Sequence, residues 1–346
     1  MTKFNTVWFP LQYECNNKCS WCYAPSEITS SKDKRFDDKK ENELIDLVDG
    51  LHTKKIILIG GEPSIYPNLE RIIKKISNKG IKVSMVTNGR KLSDYSFVQK
   101  IGDAGLISLT VSIEGSNHLV HDSITKIQGS FYQTLKGINN SIKYGFPTCT
   151  ETTICKENEE DLENIVRLLE EKDLSYRLFN ICGPCVSNLE NSNSISLLNG
   201  AKMFERIYQS AKKKNVRLVT PVPICDFNQD TYNNMKKNKA ISYGCHILFG
   251  TNFVLDANGD VLPCVHFSNY PIFNVYNNGE VISPEKFQEL WENPEETNQK
   301  FRKILRRYPS KKCSEGNCWN PCTGGCSVFW LKYNPEKEIR GLKQNA

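Results

Sequence analysis

No apolar run in this chain approaches the roughly 20 residues that a helix needs to cross a bilayer. The longest aliphatic stretch, Ile56–Ile59, reads as a buried strand. A concentrated basic stripe is missing as well. The 45 basic and 39 acidic residues, net +6, are spread along the sequence, so neither nucleic acid nor a membrane is an expected partner. The opening Met1-Thr2-Lys3-Phe4-Asn5 carries no signal-peptide pattern. Without a secretory context, and at 346 residues, the 14 cysteines do not read as the disulfide framework of a small secreted domain. Reduced thiols in the cytoplasm are the expectation.

Among those thiols, Cys15-Asn16-Asn17-Lys18-Cys19-Ser20-Trp21-Cys22 stands out, with gaps of three and two residues. Structural zinc takes two separated pairs in a tetrahedron. Closely spaced cysteines hold iron–sulfur clusters, and three ligands on a four-iron cube leave one iron open to a substrate or cofactor.

From residue 5 to 215, strand-like apolar runs alternate with amphipathic helical stretches, the pattern of a parallel sheet built from βα units. Six strands are read, at Val7–Tyr13, Lys55–Ile59, Lys82–Val86, Leu106–Ile113, Thr148–Ile154 and Tyr176–Ile181. That is fewer than a closed eight-fold barrel requires. The expected fold is therefore α/β, a partial (β/α)6 TIM-like barrel with a smaller C-terminal iron–sulfur cluster domain. Its expected division is a barrel at 1–218, a bridging segment at 219–244, the cluster domain at 245–330 and a polar tail at 331–346. Ser187–Asn199 reads as a loop without apolar anchors, and Phe253–Leu262 as a hairpin of the smaller module.

Loops after the carboxyl ends of parallel strands build the functional face. The cysteine triplet follows the first strand, Gly60-Gly61-Glu62-Pro63 the second and Thr87-Asn88-Gly89 the third, while Ser112-Ile113-Glu114-Gly115 closes the fourth. Each of the last three would be an ordinary turn by itself. Together they fall on one rim.

With these residues in place the chain resembles the radical S-adenosylmethionine (SAM) enzymes, whose C-x3-C-x2-C signature the triplet matches, with Trp21 before its last cysteine. Gly60-Gly61-Glu62-Pro63 is similar to their SAM-amino segment. The C-terminal part resembles the SPASM extension, since Cys245, Gly259 and Cys264 fit its leading motif and a cysteine group follows. The resemblance implies that Cys15, Cys19 and Cys22 hold a four-iron cluster whose free iron chelates SAM. It places Trp21, Gly60, Gly61, Glu62, Pro63, Asn88, Ser112 and Glu114 around SAM, with Lys126 as the nearby cation where relatives carry an Arg.

The resemblance further implies one or two auxiliary four-iron clusters on Cys245, Cys264, Cys313, Cys318, Cys322 and Cys326. By analogy Cys245, Cys264 and Cys326 serve the first, and Cys313, Cys318 and Cys322 the second, each set one ligand short. Cys225 would complete the first, with His246 or His266 as other options. Cys182-Gly183-Pro184-Cys185 reads either as a redox pair or as a turn between inert thiols. Cys149 and Cys155 read as packing residues, as do Phe287 and Trp291. Phe329, Trp330 and Tyr333 read as a hydrophobic seal.

The implied activity is reductive cleavage of SAM to a 5′-deoxyadenosyl radical and abstraction of a substrate hydrogen atom. A flavodoxin- or ferredoxin-like protein would supply the electron. Most SPASM-bearing relatives modify ribosomally made peptides, so a peptide is the leading substrate, by crosslinking, thioether formation or epimerisation. No leader-binding segment is read before the first strand. The alternatives are dehydrogenation of a small alcohol or sugar, and sulfatase maturation, where relatives carry Asp at the position of Val265. A non-catalytic electron carrier or zinc-stabilised interaction protein would need the cysteines but not Gly60–Pro63 or Ser112–Gly115.

Overall fold

The computed structural model describes residues 2–22, 38–184, 189, 192–242, 245, 250–267, 271–293, 302–303, 309–311, 313 and 322–340. Cys185, His246 and Cys318 lie outside the described residues.

Seven parallel strands form the frame: β1 (Thr6–Pro10), β2 (Lys55–Ile59), β3 (Lys82–Thr87), β4 (Leu106–Ser112), β5 (Thr148–Ile154), β6 (Tyr176–Ile181) and β7 (Val216–Leu218). Between them run α1 (Asp38–Gly50), α2 (Leu69–Asn78), α3 (Tyr95–Asp103), α4 (His118–Thr125), α5 (Ser130–Tyr144), α6 (Leu162–Leu169) and α7 (Leu197–Ser210). The helices cover the sheet through apolar stripes. In α2, Leu69, Ile72, Ile73 and Ile76 fall on one face at helical spacing and are all buried. Side chains fix where helices begin: Asn117 accepts the amides of Leu119 and Val120 ahead of α4, and Ser196 accepts that of Asn199 ahead of α7.

This is the partial α/β barrel expected, with extensions at both edges. β7 adds beyond β6; three residues, Val-Arg-Leu, are too short to register as a periodic run. At the other edge the hairpin β8 (Asn252–Leu255) and β9 (Asp260–Leu262) joins the barrel's own sheet, although the sequence reads it as part of a separate module. β8 runs parallel to β1, pairing Thr6 with Asn252 and Trp8 with Val254. A further helix, α8 (Gln229–Lys237), follows β7.

Aromatic packing locks the hairpin down. Phe4 meets Phe253, Phe287 and Trp291 edge-on at 5.0, 5.6 and 5.4 Å between ring centroids. Phe287 and Trp291 lie on α9 (Pro284–Glu292), and the Trp291 indole donates to Gly250 O at 3.1 Å. The stretch read as an unanchored loop is core from Ser194 onward: Ser194, Ile195 and Ser196 are buried and α7 starts at Leu197. Ser196 looks polar in sequence, yet it caps the start of α7. Among the described residues no helix is long and apolar enough to cross a membrane.

Candidate functional site

The cysteine loop is fastened to the glycine segment by backbone bonds. Gly61 N donates to Gln12 O at 2.7 Å and Glu62 N to Glu14 O at 2.8 Å. The approach is close enough to demand glycine. A Cβ on Gly60, whose φ is +134°, would stand 2.2 Å from Gln12 O, and one on Gly61 2.3 Å from Glu14 O. Pro63 opens a short 3-10 turn that Glu62 caps.

Glu62 is buried and its carboxylate is filled by protein donors: Thr87 Oγ1 at 2.5 Å, Asn88 N at 2.7 Å and Ser64 N at 2.9 Å. Burial raises its pKa, and these bonds oppose the rise. Its geometry is that of a clamp between the second and third rim loops. Asn88 then reaches the cysteine loop, donating from Nδ2 to Asn16 Oδ1 at 2.6 Å. Arg90, which the motif reading passed over, does the same with a guanidinium: it donates to Asn16 O, to Asn17 Oδ1 at 3.0 Å and to Gln133 Oε1 at 2.6 Å. Its signal was an arginine directly after the Thr87-Asn88-Gly89 turn.

From the other side the loop docks on the carboxyl end of α4, with Lys18 N on Thr125 O at 2.9 Å and Ser20 N on Ile124 O at 3.0 Å. The amides of the loop thereby satisfy carbonyls that a helix end leaves open. Lys126 caps this helix in the left-handed region and pairs with Glu157 at 3.5 Å, its side chain 50% exposed. Glu157 also accepts the Ser20 hydroxyl. Lys126 thus belongs to a surface ion pair that latches the loop.

Ser112 ends β4 opposite Glu151. Glu114 is buried, accepts Thr153 N at 3.0 Å, and is pushed up to about 8 by burial and the Glu151 charge. It lies near Cys19, whose thiol its charge raises. The Glu114 amide donates to His121 Nδ1 at 3.1 Å. This fixes the neutral tautomer with its proton on Nε2. Burial lowers His121 to about 4. His121 was not singled out from sequence.

Burial drives the Cys15 thiol up to about 12 and the Cys19 thiol well above its usual value; charges on the three triplet cysteines act on one another. In the absence of metal the Cys15 and Cys19 sulfurs therefore keep their protons, which iron binding must expel. Among the described residues Trp21 Nε1, His121 Nε2 and Gln12 Oε1 are buried without hydrogen-bond partners, which suits a large polar guest on the rim that carries the three thiols. A cluster with its organic ligand is such a guest. Among the described residues no three His, Cys, Asp or Glu side chains converge as a single metal ion would require.

Trp21 packs with Ile124, Val120 and two buried thiols, Cys155 and Cys182. Cys155 and Cys182 directly follow the final β5–β6 rung, Ile154 with Ile181. In the C-terminal part, Cys245, Cys264 and Cys326 pack around Phe267 and Val328. His266 Nδ1 lies 3.5 Å from Cys264 Sγ. Burial and the charges of Cys245 and Cys264 raise Cys326. Cys322 is buried and accepts amides from Ile224 at 3.5 Å and Gly324 at 3.4 Å. Phe329 and Trp330 are buried, and Tyr333 stacks on Phe329 at 6.2 Å. Cys225 and Cys313 are half-buried against the main core.

A parallel α/β barrel whose first rim loop presents three thiols, braced by the next three rim loops, defines a cluster-binding barrel. Residues 9–169 match the radical SAM superfamily and residues 245–319 match the SPASM iron–sulfur cluster-binding domain. The chain belongs to the radical SAM superfamily and carries a SPASM domain toward its C-terminus. Together the two domains imply a SAM-binding iron–sulfur cluster and auxiliary clusters.

Among proteins of known activity, the chain is 28% identical over 307 residues to an AdoMet-dependent heme synthase of Methanosarcina barkeri, covering 84% of this chain and 81% of that protein. It is 27% identical over 257 residues to an S-adenosylmethionine-dependent nucleotide dehydratase of Flammeovirga pacifica, covering 70% and 86%. In structure it resembles Streptococcus suis SuiB bound to precursor peptide SuiA, with TM-score 0.72, 17% identity and coverage of 99% and 76%. It also resembles anSMEcpe with bound AdoMet, with TM-score 0.68, 16% identity and coverage of 99% and 97%. At these identities the two structures show the shared fold.

Proposed function

We propose that this protein cleaves SAM reductively and uses the resulting 5′-deoxyadenosyl radical to abstract a hydrogen atom from a ribosomally made peptide. The carrying observation is the bracing of one loop. Asn88, Arg90, Ile124 and Thr125 all bond to the segment that bears Cys15, Cys19 and Cys22.

The cofactor supplies the radical chemistry; the chain's own residues set its place. Gly60 and Gly61 let the glycine segment lie against the cysteine loop, Glu62 holds Asn88 in position, and the Nε2–H of His121 and the indole N–H of Trp21 remain as buried donors for a ligand. Cys245, Cys264 and Cys326 on one side, and Cys313, Cys318 and Cys322 on the other, would hold auxiliary clusters that accept or relay an electron. A flavodoxin- or ferredoxin-like protein would be the reductant.

A peptide substrate is supported by the whole-length likeness in fold to SuiB with its bound precursor peptide and to anSMEcpe, which has also been seen with peptides. The sequence relationship to the heme synthase over 84% of the chain favours a second reading, an iron-porphyrin substrate. Anaerobic reconstitution with iron and sulfide, followed by reduction and SAM, tests the first step by release of 5′-deoxyadenosine; an inert reconstituted protein refutes it. Deuterated peptides and deuterated iron-porphyrin then separate the substrate readings, because only the true substrate passes deuterium to 5′-deoxyadenosine.

A further inference from the structure

Read from sequence, each half of the C-terminal cysteine set is one ligand short, and Cys225 is assigned to the half that contains Cys245, Cys264 and Cys326. Packing parts it from two of them. Cys245 and Cys264 gather with Cys326 around Phe267 and Val328, whereas Cys225 lies with Cys313 against the main core, which Cys326 also touches. Cys225 stands in the 3-10 turn Ile224–Asp226. The amide immediately before it, on Ile224, donates to Cys322 Sγ at 3.5 Å across 98 residues of sequence.

This turn is held from several sides. Cys326 N donates to Pro221 O at 3.0 Å, and the buried Asp226 accepts Arg340 N at 2.8 Å. Pro223 packs so closely on Gly325 that a Cβ there would meet its ring at 2.8 Å. The segment 221–226 is therefore fitted against 322–326, and the residue before Cys225 touches the Cys322 sulfur through its amide. The sulfur of Cys322 receives a second amide, from Gly324 at 3.4 Å. Two N–H donors on one sulfur are of little use to a neutral thiol, a weak acceptor. They suit a thiolate that keeps negative charge while bound to iron.

We propose that Cys225 ligates the auxiliary cluster held by Cys322, and not the one held by Cys245, Cys264 and Cys326. The inference rests on the reading of the C-terminal cysteines as cluster ligands. It takes one ligand from the bridging segment after β7, so that this cluster also ties the barrel's last strands to the C-terminal segment.

The test uses the full chain with Cys15, Cys19 and Cys22 replaced by Ala, so that all retained iron belongs to the C-terminal cysteines. After anaerobic reconstitution, iron and sulfide are counted and the reduced protein is examined by electron paramagnetic resonance. Cys225→Ser and Cys322→Ser should alter the same signal and lower the iron content by between about one iron and about four, one cluster's worth; Cys264→Ser should alter a different signal. Full iron and unchanged signals in Cys225→Ser would overturn the proposal, as would loss of the signal that Cys264→Ser removes.

A second readout needs no variant at these positions. In the loaded protein Cys225 and Cys322 should resist alkylation together and become reactive together when iron is chelated. Reactivity of Cys225 alone in the loaded protein, or a Cys225–Cys322 disulfide in anaerobically purified protein, would overturn the assignment. A parent that takes up no iron would instead bring down the underlying cluster reading, and the assignment with it.

Discussion

The carboxylate of Glu62 accepts the amide hydrogen of Asn88 at 2.7 Å, and the side chain of Asn88 in turn holds Asn16 inside the cysteine triplet at 2.6 Å. A buried acid on one rim loop therefore positions the cysteine loop through its neighbour. Glu62→Ala should leave the Thr87 hydroxyl and the Ser64 and Asn88 amides without their acceptor, at about 1–3 kcal/mol for each group left buried and unpaired. A lowered unfolding temperature of the metal-free protein, together with reduced 5′-deoxyadenosine release, is the expected pair of results. A variant with wild-type stability would show that the clamp carries no weight.

Arg90 reaches Asn16 O and Asn17 Oδ1 from one Nη1 while its Nε donates to Gln133 Oε1, so two nitrogens of the planar group tie the cysteine loop to α5. Lysine offers a point charge and not a planar fork, so Arg90→Lys and Arg90→Ala should both release iron from the triplet faster to a chelator, by several-fold. Equal release rates for Arg90→Lys and the parent would show that charge alone suffices there.

Gly61 has no room for a side chain, since a Cβ would stand 2.3 Å from Glu14 O and 2.4 Å from Tyr13 O. Both neighbours are backbone and cannot swing away. Gly61→Ala should cost about 1–3 kcal/mol through overpacking, read by urea unfolding. The control Gly80→Ala, where nothing lies within 4 Å, meets only the strain of its positive φ.

The pH dependence of the metal-free protein has a stated sign. Glu114 is raised from 4.5 to about 8, so its contribution is complete below 4.5 and is lost as pH rises through 8. His121 is lowered from 6.5 to about 4, so its contribution is present above 6.5 and is lost as pH falls through 4. Between pH 6.5 and 8 Glu114 is the one of these two that still changes. Over that window the parent should lose stability with rising pH and Glu114→Gln should lose less, as measured by urea midpoints. Parallel curves would place the Glu114 proton elsewhere.

Cys19→Ala should abolish SAM cleavage while the C-terminal cysteines still take up iron, because Cys19 lies on the first rim loop and Cys245, Cys264 and Cys326 form their own group around Phe267. Unchanged 5′-deoxyadenosine output from this variant would contradict the role given to the triplet.

Much of the frame was legible because it is local. Lys55–Ile59 and Tyr176–Ile181 are read from sequence with the bounds the structure gives them, since apolar strands between helical stretches declare themselves within a few residues. β7, with three residues, carries no period to read. The hairpin's place beside β1 was equally hidden, because it depends on Asn252 meeting Thr6 from the far end of the chain. The ion pair of Lys126 with Glu157 was hidden in the same way, because it joins residues of two different rim loops.

The sequence by itself determined that three thiols share one short loop and on which rim that loop stands, because Cys15, Cys19 and Cys22 lie within eight residues and strand ends follow from local pattern. Only the tertiary structure decided which residues brace that loop and which thiols stand together. Arg90 lies 74 residues from Asn16 and Ile224 lies 98 from Cys322. Partners at such separations are chosen by packing of the whole sheet, which no short stretch of chain encodes.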